Sequence, residues 1–249
     1  MAVQAAKYRV QPLSLHHGNC LDVLPTIPDA SVDAIICDLP YATTKNGWDV
    51  LIPFEPLWAQ YRRVAKPSAP IILTAQQPFT SMLVASNYRD FRYELIWEKN
   101  ASTGFLNAKK MPLKSHESIL VFYKRLPTYN PQMTAGTPYT VRRGSVQSKN
   151  YGKQTEETIT VNNGTRCPRS VLRFDIERGA HPTQKPVALM RYLIETFTNP
   201  GDVVLDNCMG SGTTGVASIA AGRQFIGIEQ DAAYFNIAHE RITGARVDQ

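Results

Sequence analysis

The sequence predicts an α/β fold with a doubly wound, mostly parallel sheet of seven strands, and three observations carry that prediction. Seven short apolar runs recur along the 249 residues. Several are separated by segments with helical apolar spacing. One run feeds a glycine-rich turn that opens a helix. The composition, 43% hydrophobic and 19% charged, is that of a globular chain and argues against a mostly disordered one. No apolar run approaches the ~20 residues that a membrane-spanning helix needs. Met1 to Pro12 lacks the apolar centre of a signal peptide.

Leu13 to His16, Val32 to Cys37 and Pro70 to Thr74 have the apolar character of buried strands. Tyr93 to Trp97, Ser118 to Tyr123, Val203 to Asp206 and Gln224 to Glu229 complete the seven. Between them, Phe54, Leu57, Trp58, Tyr61 and Val64 share helical spacing, and Phe79 to Ala85 fits a second helix. Val187, Met190, Leu193, Ile194 and Phe197 fall on one face of a third, and Val216 to Ala221 continues the glycine turn as a fourth.

Lys124 to Gly179 breaks this alternation. It holds Pro127, Pro131, Pro138 and Pro168, many polar residues and only weak periodicity, and reads as an irregular insertion. Tyr129, Tyr139, Tyr151 and Phe174 argue against full disorder. The expected organisation is therefore a first half over 1–123, an insertion over 124–179 and a second half over 180–249.

Charge sharpens that division. The chain carries 27 Lys and Arg against 21 Asp and Glu, a net +6. Lys124 to Arg178 holds ten of the basic residues and four of the acidic ones, which accounts for the whole excess. A solvated basic surface is the plain reading; an acidic partner is the sharper one. Cys20, Cys37, Cys167 and Cys208 form no Cys-x-x-Cys pair, and no histidine spacing suggests zinc, so no metal site is expected. Reduced thiols and a cytoplasmic location are the simplest expectation, with Cys37 buried in its apolar run.

The strand Val203 to Asp206 leads through Asn207, Cys208 and Met209 into Gly210-Ser211-Gly212-Thr213-Thr214-Gly215. Glycines at this spacing allow a tight turn and close approach of a ligand to the backbone. The following strand ends in Glu229, an acid placed to accept hydrogen bonds from ribose hydroxyls. A nucleoside-containing ligand follows, although the pattern alone fits either a nicotinamide dinucleotide or S-adenosylmethionine. Two features favour the latter. Asp206 precedes the loop, where it can meet a cationic amino-acid group. Only 20 residues follow Glu229, so the remaining strands must come from the N-terminal side.

The strand Val32 to Cys37 runs into Asp38-Leu39-Pro40-Tyr41. A carboxylate and a neighbouring carbonyl can both accept hydrogen bonds from an exocyclic amine. Pro40 restrains the backbone so that the Leu39 carbonyl points outward, and Tyr41 offers a face for base stacking. A strand-ending turn explains the tetrapeptide alone about as well.

Taken together, the chain resembles a β-class amino-methyltransferase of DNA, in which the catalytic motif precedes the cofactor motif. Asp38-Leu39-Pro40-Tyr41 resembles the family's Asp-Pro-Pro-Tyr. Asp206 to Thr214 resembles its Asp-Pro-Phe-x-Gly-Ser-Gly-Thr-Thr loop. His181-Pro182-Thr183-Gln184-Lys185-Pro186 resembles the segment that lines the cofactor pocket. His16 to Leu24 resembles the Gly-Asp-x-Leu segment near the cofactor adenine. The four blocks stand in the family's order over nearly the whole chain. Leu39, Asn207, Cys208 and Asn19 depart from the family residues at their positions.

The resemblance implies a Rossmann-like methyltransferase sheet with circularly permuted motifs and S-adenosylmethionine as cofactor. Its target is adenine N6 of a flipped-out base in double-stranded DNA; cytosine N4 is the alternative. Asp38, Leu39, Pro40 and Tyr41 would be catalytic. Asn19, Asp22, Cys37, His181, Thr183, Lys185, Asp206, Gly210, Ser211, Gly212, Thr213, Thr214 and Glu229 would hold the cofactor. The basic insertion would be the target-recognition region, with Arg142, Arg143, Lys149, Lys153, Arg166, Arg169 and Arg173 on DNA. Lys99, Lys109, Lys110 and Lys114 would extend that face or form a solvated loop. Thr43 to Trp48 is a candidate loop over the flipped base. Dimerisation is common in the family, although no residue pattern here specifies it, and no endonuclease partner is read from the chain. An NAD-dependent oxidoreductase leaves the Asp38 motif unexplained. A protein glutamine methyltransferase would carry Asn-Pro-Pro-Tyr after its cofactor motif. A catalytically inactive DNA-binding module is disfavoured by the intact Asp38 and glycine loop.

Overall fold

A computed structural model describes residues 13–42, 49–144, 146–148, 152–154, 158–177 and 184–245. The elements run β1 (Leu13–His17), α1 (Cys20–Val23), β2 (Ala34–Asp38), α2 (Phe54–Val64), β3 (Ile71–Ala75), α3 (Phe79–Ser86), β4 (Phe91–Thr103) and β5 (Lys114–Phe122). Six short strands follow: β6 (Thr134–Ala135), β7 (Tyr139–Arg143), β8 (Val146–Ser148), β9 (Gly152–Gln154), β10 (Thr158–Asn162) and β11 (Thr165–Arg166). The chain then forms β12 (Val171–Arg173), α4 (Val187–Phe197), β13 (Val203–Asp206), α5 (Thr213–Ala220), β14 (Gln224–Glu229) and α6 (Ala232–Ala245).

Residues 1–130 and 170–249 make one compact unit, and residues 131–169 make another. In the larger unit the strand order is β1-β14-β13-β2-β3-β5-β4-β12. All seven expected strands are present, and the first five in that order pair in parallel. β5 runs antiparallel to both β3 and β4. The sheet has an eighth member, the three-residue β12, parallel to β4. It is too short to leave a periodic signal, and it lies in a stretch whose polar composition reads as insertion. The long helix α6 also went unpredicted; of its 14 residues, only Ala238 and Ile242 are buried.

The pleat divides the core into two layers. Ile35, Cys37, Ile71, Leu73 and Leu205 point into one cluster with Leu57, Trp58, Tyr61 and Val64 of α2 and Leu83 of α3. Ala34, Ile36, Ile72 and Val204 point into the other, with Leu189, Leu193 and Ile194 of α4, Ala217 of α5 and Ile242 of α6. Helix α2 ends at Val64 because its Tyr61 and Val64 are already seated and Pro67 lies just beyond; Ala65 is extended. β2 connects through α2 to β3 on its one side, and β13 through α5 to β14 on the other. The connections diverge between β2 and β13, the switch point where such sheets bind ligands at their strand carboxyl ends.

The larger unit takes in both flanks of the polar stretch. Asn130 Nδ2 donates to the carbonyls of Glu195 and Thr198 at 3.1 and 2.9 Å, and β12 belongs to the main sheet. The insertion is thus narrower than its composition marks. It is also regular: β6 pairs with β11, β7 with β10 and β8 with β9, all antiparallel. The ladders follow one another as an interrupted two-stranded ribbon, its pairing shifted by one residue from each ladder to the next. Its pattern eludes sequence periodicity because Val141, Ile159 and Val161 are all exposed and neither face is a core face.

Candidate active site

A cavity of about 880 Å³ opens at the carboxyl ends of the parallel strands of the larger unit. Asp38, Leu39, Pro40 and Tyr41 line it, and so do Asp206, Gly210, Ser211, Thr213, Thr214 and Glu229. The two motifs, 165 residues apart, meet because β2 and β13 are neighbours.

Asp38 ends β2 beside Thr74 of β3. Its Oδ1 accepts from the Tyr41 hydroxyl at 2.6 Å and from the Thr74 hydroxyl. Its Oδ2 accepts from Lys185 Nζ at 2.5 Å. Burial pushes the carboxyl up, but the Lys185 ammonium and the bonds from Thr74 and Tyr41 more than offset this. The group is held below the usual carboxylate range and stays ionised. The Tyr41 ring stacks on Phe79 with centroids 5.1 Å apart. Its hydroxyl is pushed well above the ordinary phenol range by burial and by the Asp38 charge, so it remains a donor.

Lys185 stands against this carboxylate, not beyond it in the pocket. Its side chain is 7% exposed, and Nζ also lies 3.3 Å from Glu117 Oε2. Burial pushes the ammonium down, but Asp38 and Glu117 outweigh it and raise it above the ordinary lysine range. Glu117 pairs in turn with Lys99, whose Nζ sits 4.7 Å from the Trp97 ring centroid. Lys99 is therefore a largely enclosed member of the site rather than part of an exposed basic face. Thr74 and Glu117 escaped the sequence reading, and Lys99 was read as part of a basic face or a solvated loop. Each sits at the carboxyl-edge end of a strand, and that position, one beyond the apolar run for Glu117, was the available signal.

On the other wall, Asp206 is 2% exposed, and its Oδ1 accepts from Cys208 N at 3.0 Å. Burial pushes its carboxyl up to about 6. Glu229 Oε2 accepts from Gly210 N and Oε1 from Asp231 N, both at 2.8 Å, and burial raises this carboxyl too. Arg241 of α6 donates to the Ser211 carbonyl at 2.6 Å and pins the loop from behind. Thr213 Oγ1 is buried at the cavity wall and has no hydrogen-bond partner among the described residues. A polar ligand is the natural partner for it. Together with the two acids and the bare backbone at Gly210, this donor set fits a nucleoside bearing a cationic amino-acid group.

Other expected contacts fall elsewhere. Asn19 lines the cavity and also caps α1, accepting from Leu21 N at 2.9 Å. Asp22 is exposed and off the cavity wall. Cys37 is fully buried behind the wall, and Gly212 packs against α6. His181, Thr183, Lys149 and the segment Thr43 to Trp48 lie outside the described residues. In the ribbon, Arg142 and Arg143 are exposed on β7 and Arg169 is exposed near its base. The backbone of Lys153 is on β9, its side chain outside the described atoms. Arg166 is engaged internally, 4.7 Å over the Tyr139 ring and donating to Asn162 Oδ1 at 2.8 Å. Arg173 belongs to the larger unit and donates to Glu98 at 2.7 Å.

A profile of the DNA methylase family matches residues 32–240. The chain is 32% identical over 243 residues to the DNA adenine methyltransferase YhdJ of Escherichia coli K12, covering 91% of this chain and 81% of that protein. It is 29% identical to the type II methyltransferase M1.MboII of Moraxella bovis, over 90% of this chain and 94% of the other. The solved complex of M1.HpyAVI with SAM has a TM-score of 0.62 at 25% identity and covers 92% of this chain and 99% of that one. The cytosine-N4-specific PvuII DNA methyltransferase has a TM-score of 0.66 over 94% of this chain and 91% of its own; at 16% identity this is a likeness of fold. The chain belongs to the DNA methylase family, as an S-adenosylmethionine-dependent DNA methyltransferase. Among the described residues no helix is long and apolar enough to cross a membrane.

Proposed function

We propose that this protein methylates N6 of adenine in double-stranded DNA, acting on a base turned out of the helix. The observation that carries the reading is the convergence of Asp38 and the glycine loop on one cavity, at the ends of adjacent strands. An amine acceptor thereby stands beside a nucleoside site. Adenine is favoured by the Asp at the head of the catalytic motif and by the resemblance to a DNA adenine methyltransferase. Cytosine N4 is the second reading.

S-adenosylmethionine supplies the methyl group as the carbon on its sulfonium. Asp38 and the Leu39 carbonyl accept the two amine hydrogens and draw the nitrogen lone pair out of the ring. With the cofactor bound, its sulfonium would supply the methyl carbon and keep the S–C electron pair, the amine nitrogen would take the carbon, and one amine proton would leave to solvent. Positioning supplies most of the acceleration. Tyr41, already fixed by Phe79 and Asp38, is a preset stacking face that offsets part of the cost of flipping. Asp206 is assigned to the cofactor's cationic end and Glu229 to its ribose. Gly210, Ser211, Thr213, Thr214 and Asn19 shape the space between. Cys37 and Gly212 support that wall from behind.

The ribbon over 131–169 is assigned to DNA. A two-stranded ribbon fits the major groove, and Arg142, Arg143 and Arg169 leave their charge exposed. Affinity should fall steeply with salt. Homodimerisation is tested by sedimentation of the full chain. A cytoplasmic location accords with a DNA substrate and free thiols among the described residues.

The decisive experiment is Asp38→Ala with nucleoside analysis of product DNA. Methyl transfer should vanish while cofactor binding stays nearly intact, and the wild-type product should be N6-methyladenine. Near-normal turnover of the variant would overturn the assignment; N4-methylcytosine would select the second reading.

A further inference from the structure

We infer that Lys185 reads the ring nitrogen beside the target amine, and that Glu117 positions it to do so. This deepens the methyltransfer reading above and rests on it.

Asp38 Oδ1 is taken by Tyr41 and Thr74, so Oδ2 is the oxygen left for a substrate amine. The only described group on Oδ2 is Lys185 Nζ, at 2.5 Å. Any amine that reaches Oδ2 arrives beside that ammonium. The ammonium has three N–H donors. One goes to Asp38 and one faces Glu117 Oε2, which is 3.3 Å away and buried with no hydrogen bond among the described residues. Among the described residues the third donor meets no acceptor atom, Nζ lying 5.7 Å from the Tyr41 ring centroid, at a cavity wall shared by Asp38, Glu117 and Lys185.

Oδ2 and Nζ thus form an acceptor and a donor side by side. Adenine and cytosine present the matching edge, an amine donor next to a ring-nitrogen acceptor. At the position of that amine, guanine and thymine present a carbonyl acceptor next to a ring N–H, which meets the pair with acceptor against acceptor and donor against donor. The pair therefore selects amino bases over keto bases. The two carboxylates, Asp38 and Glu117, are balanced by Lys185 and Lys99, so the donor adds no net charge beside the nitrogen that turns cationic. Glu117 keeps Lys185 from folding wholly onto Asp38 and leaves its third N–H free for the base.

Sequencing with modified-base detection first gives the recognition site. Duplexes are then made with the target opposite an abasic position, which equalises the work of flipping. The target is adenine or 1-deazaadenine, whose ring nitrogen is replaced by C–H; for a cytosine target the pair is cytosine and 3-deazacytosine. Wild-type single-turnover rates should fall at least about tenfold on the deaza base, the loss expected for a hydrogen bond from a charged donor. Lys185→Met should be slow on both bases and treat them alike within about twofold, its missing donor making the ring nitrogen irrelevant. Glu117→Gln should show an intermediate ratio. Cofactor binding and melting temperature check that each variant is folded; if Lys185→Met is not, the wild-type ratio alone decides. Equal wild-type rates on the two bases would overturn the inference, as would full discrimination by a folded Lys185→Met. A wild-type enzyme that leaves the unmodified site unmethylated overturns the underlying reading, and this inference with it.

Discussion

The Tyr61 hydroxyl donates to Asn207 Oδ1 across 2.5 Å, in a buried position, and fastens helix α2 to the loop that follows β13. Asn207 stands at the proline position of the motif that the loop resembles. The loop wall is therefore held by a hydrogen bond from another element instead of by a restrained backbone. Tyr61→Phe leaves the Asn207 amide oxygen buried without that donor, a loss of roughly 1–3 kcal/mol. Denaturant unfolding should show it, and calorimetry should show weaker S-adenosylmethionine binding. Unchanged values for both would mean that the loop holds itself.

The glycines of that loop divide into two kinds. Gly212 has φ +81°, and a Cβ there would come within 2.9 Å of Ala238 Cβ and Ile242 Cδ1 on α6. Gly210 has φ +51°, but a Cβ there meets nothing within 4 Å, because it points into open space at the cavity. Gly212→Ala should mainly lower stability, by about 1–3 kcal/mol from overpacking and backbone strain. Gly210→Ala should lower it less and weaken the cofactor more. Thermal melts and cofactor titrations on the two variants separate the effects; the reverse pattern would refute this division.

The same glycines show what the sequence carried. Strand, glycine loop, strand and terminal acid are local features, so Asp206, the loop and Glu229 could be placed together before any fold was known. Asp38 was legible because a carboxylate closing an apolar strand followed by Leu-Pro-Tyr is locally unusual. Lys185 was legible only as part of a motif, and the motif set it beside the cofactor. Its contact with Asp38 depends on strand order, as do those of Thr74, Glu117 and Lys99, and strand order leaves no local trace. Asp22 failed for a related reason. It lies in the short helix that Asn19 caps and Cys20 begins, and the turn sends those two to the cavity and Asp22 to solvent. The ribbon was missed because hydrophobic alternation marks a strand only where one face is buried.

Cys20 offers a chemical probe of the pocket. Its thiol is lowered to about 7, first by a hydrogen bond from Cys208 and against the opposing effect of burial. Cys208 is pushed well above the ordinary thiol range by the same contact. Both line the cavity. Thiolate is the reactive form, so iodoacetamide should label Cys20 ahead of Cys208, with a rate that rises through pH 7. Saturating S-adenosylmethionine should slow it. Peptide mass mapping distinguishes this from labelling of the exposed Cys167. A rate midpoint near the ordinary thiol value of 9.0 would show that the Cys208 contact does not activate Cys20.

Asp206 links pH to both stability and binding, with opposite signs. Its ordinary value is 3.8, and burial pushes it up to about 6 in the folded chain. Between those values the folded chain holds a proton that the unfolded chain has released. Stability without cofactor therefore falls as pH rises from about 4 to 6, and the deficit persists above, on the order of 2–3 kcal/mol. Asp206→Asn removes the ionisation but keeps an oxygen for the Cys208 N–H. The variant should be more stable than the native chain at pH 7–8 and no more stable below about pH 4. Binding runs the other way. The cofactor's cationic group needs the carboxylate, so wild-type affinity should weaken as pH falls through about 6, and Asp206→Asn should bind weakly at every pH. Wild-type affinity that stays flat from pH 5 to 8 would place the cationic group elsewhere in the pocket.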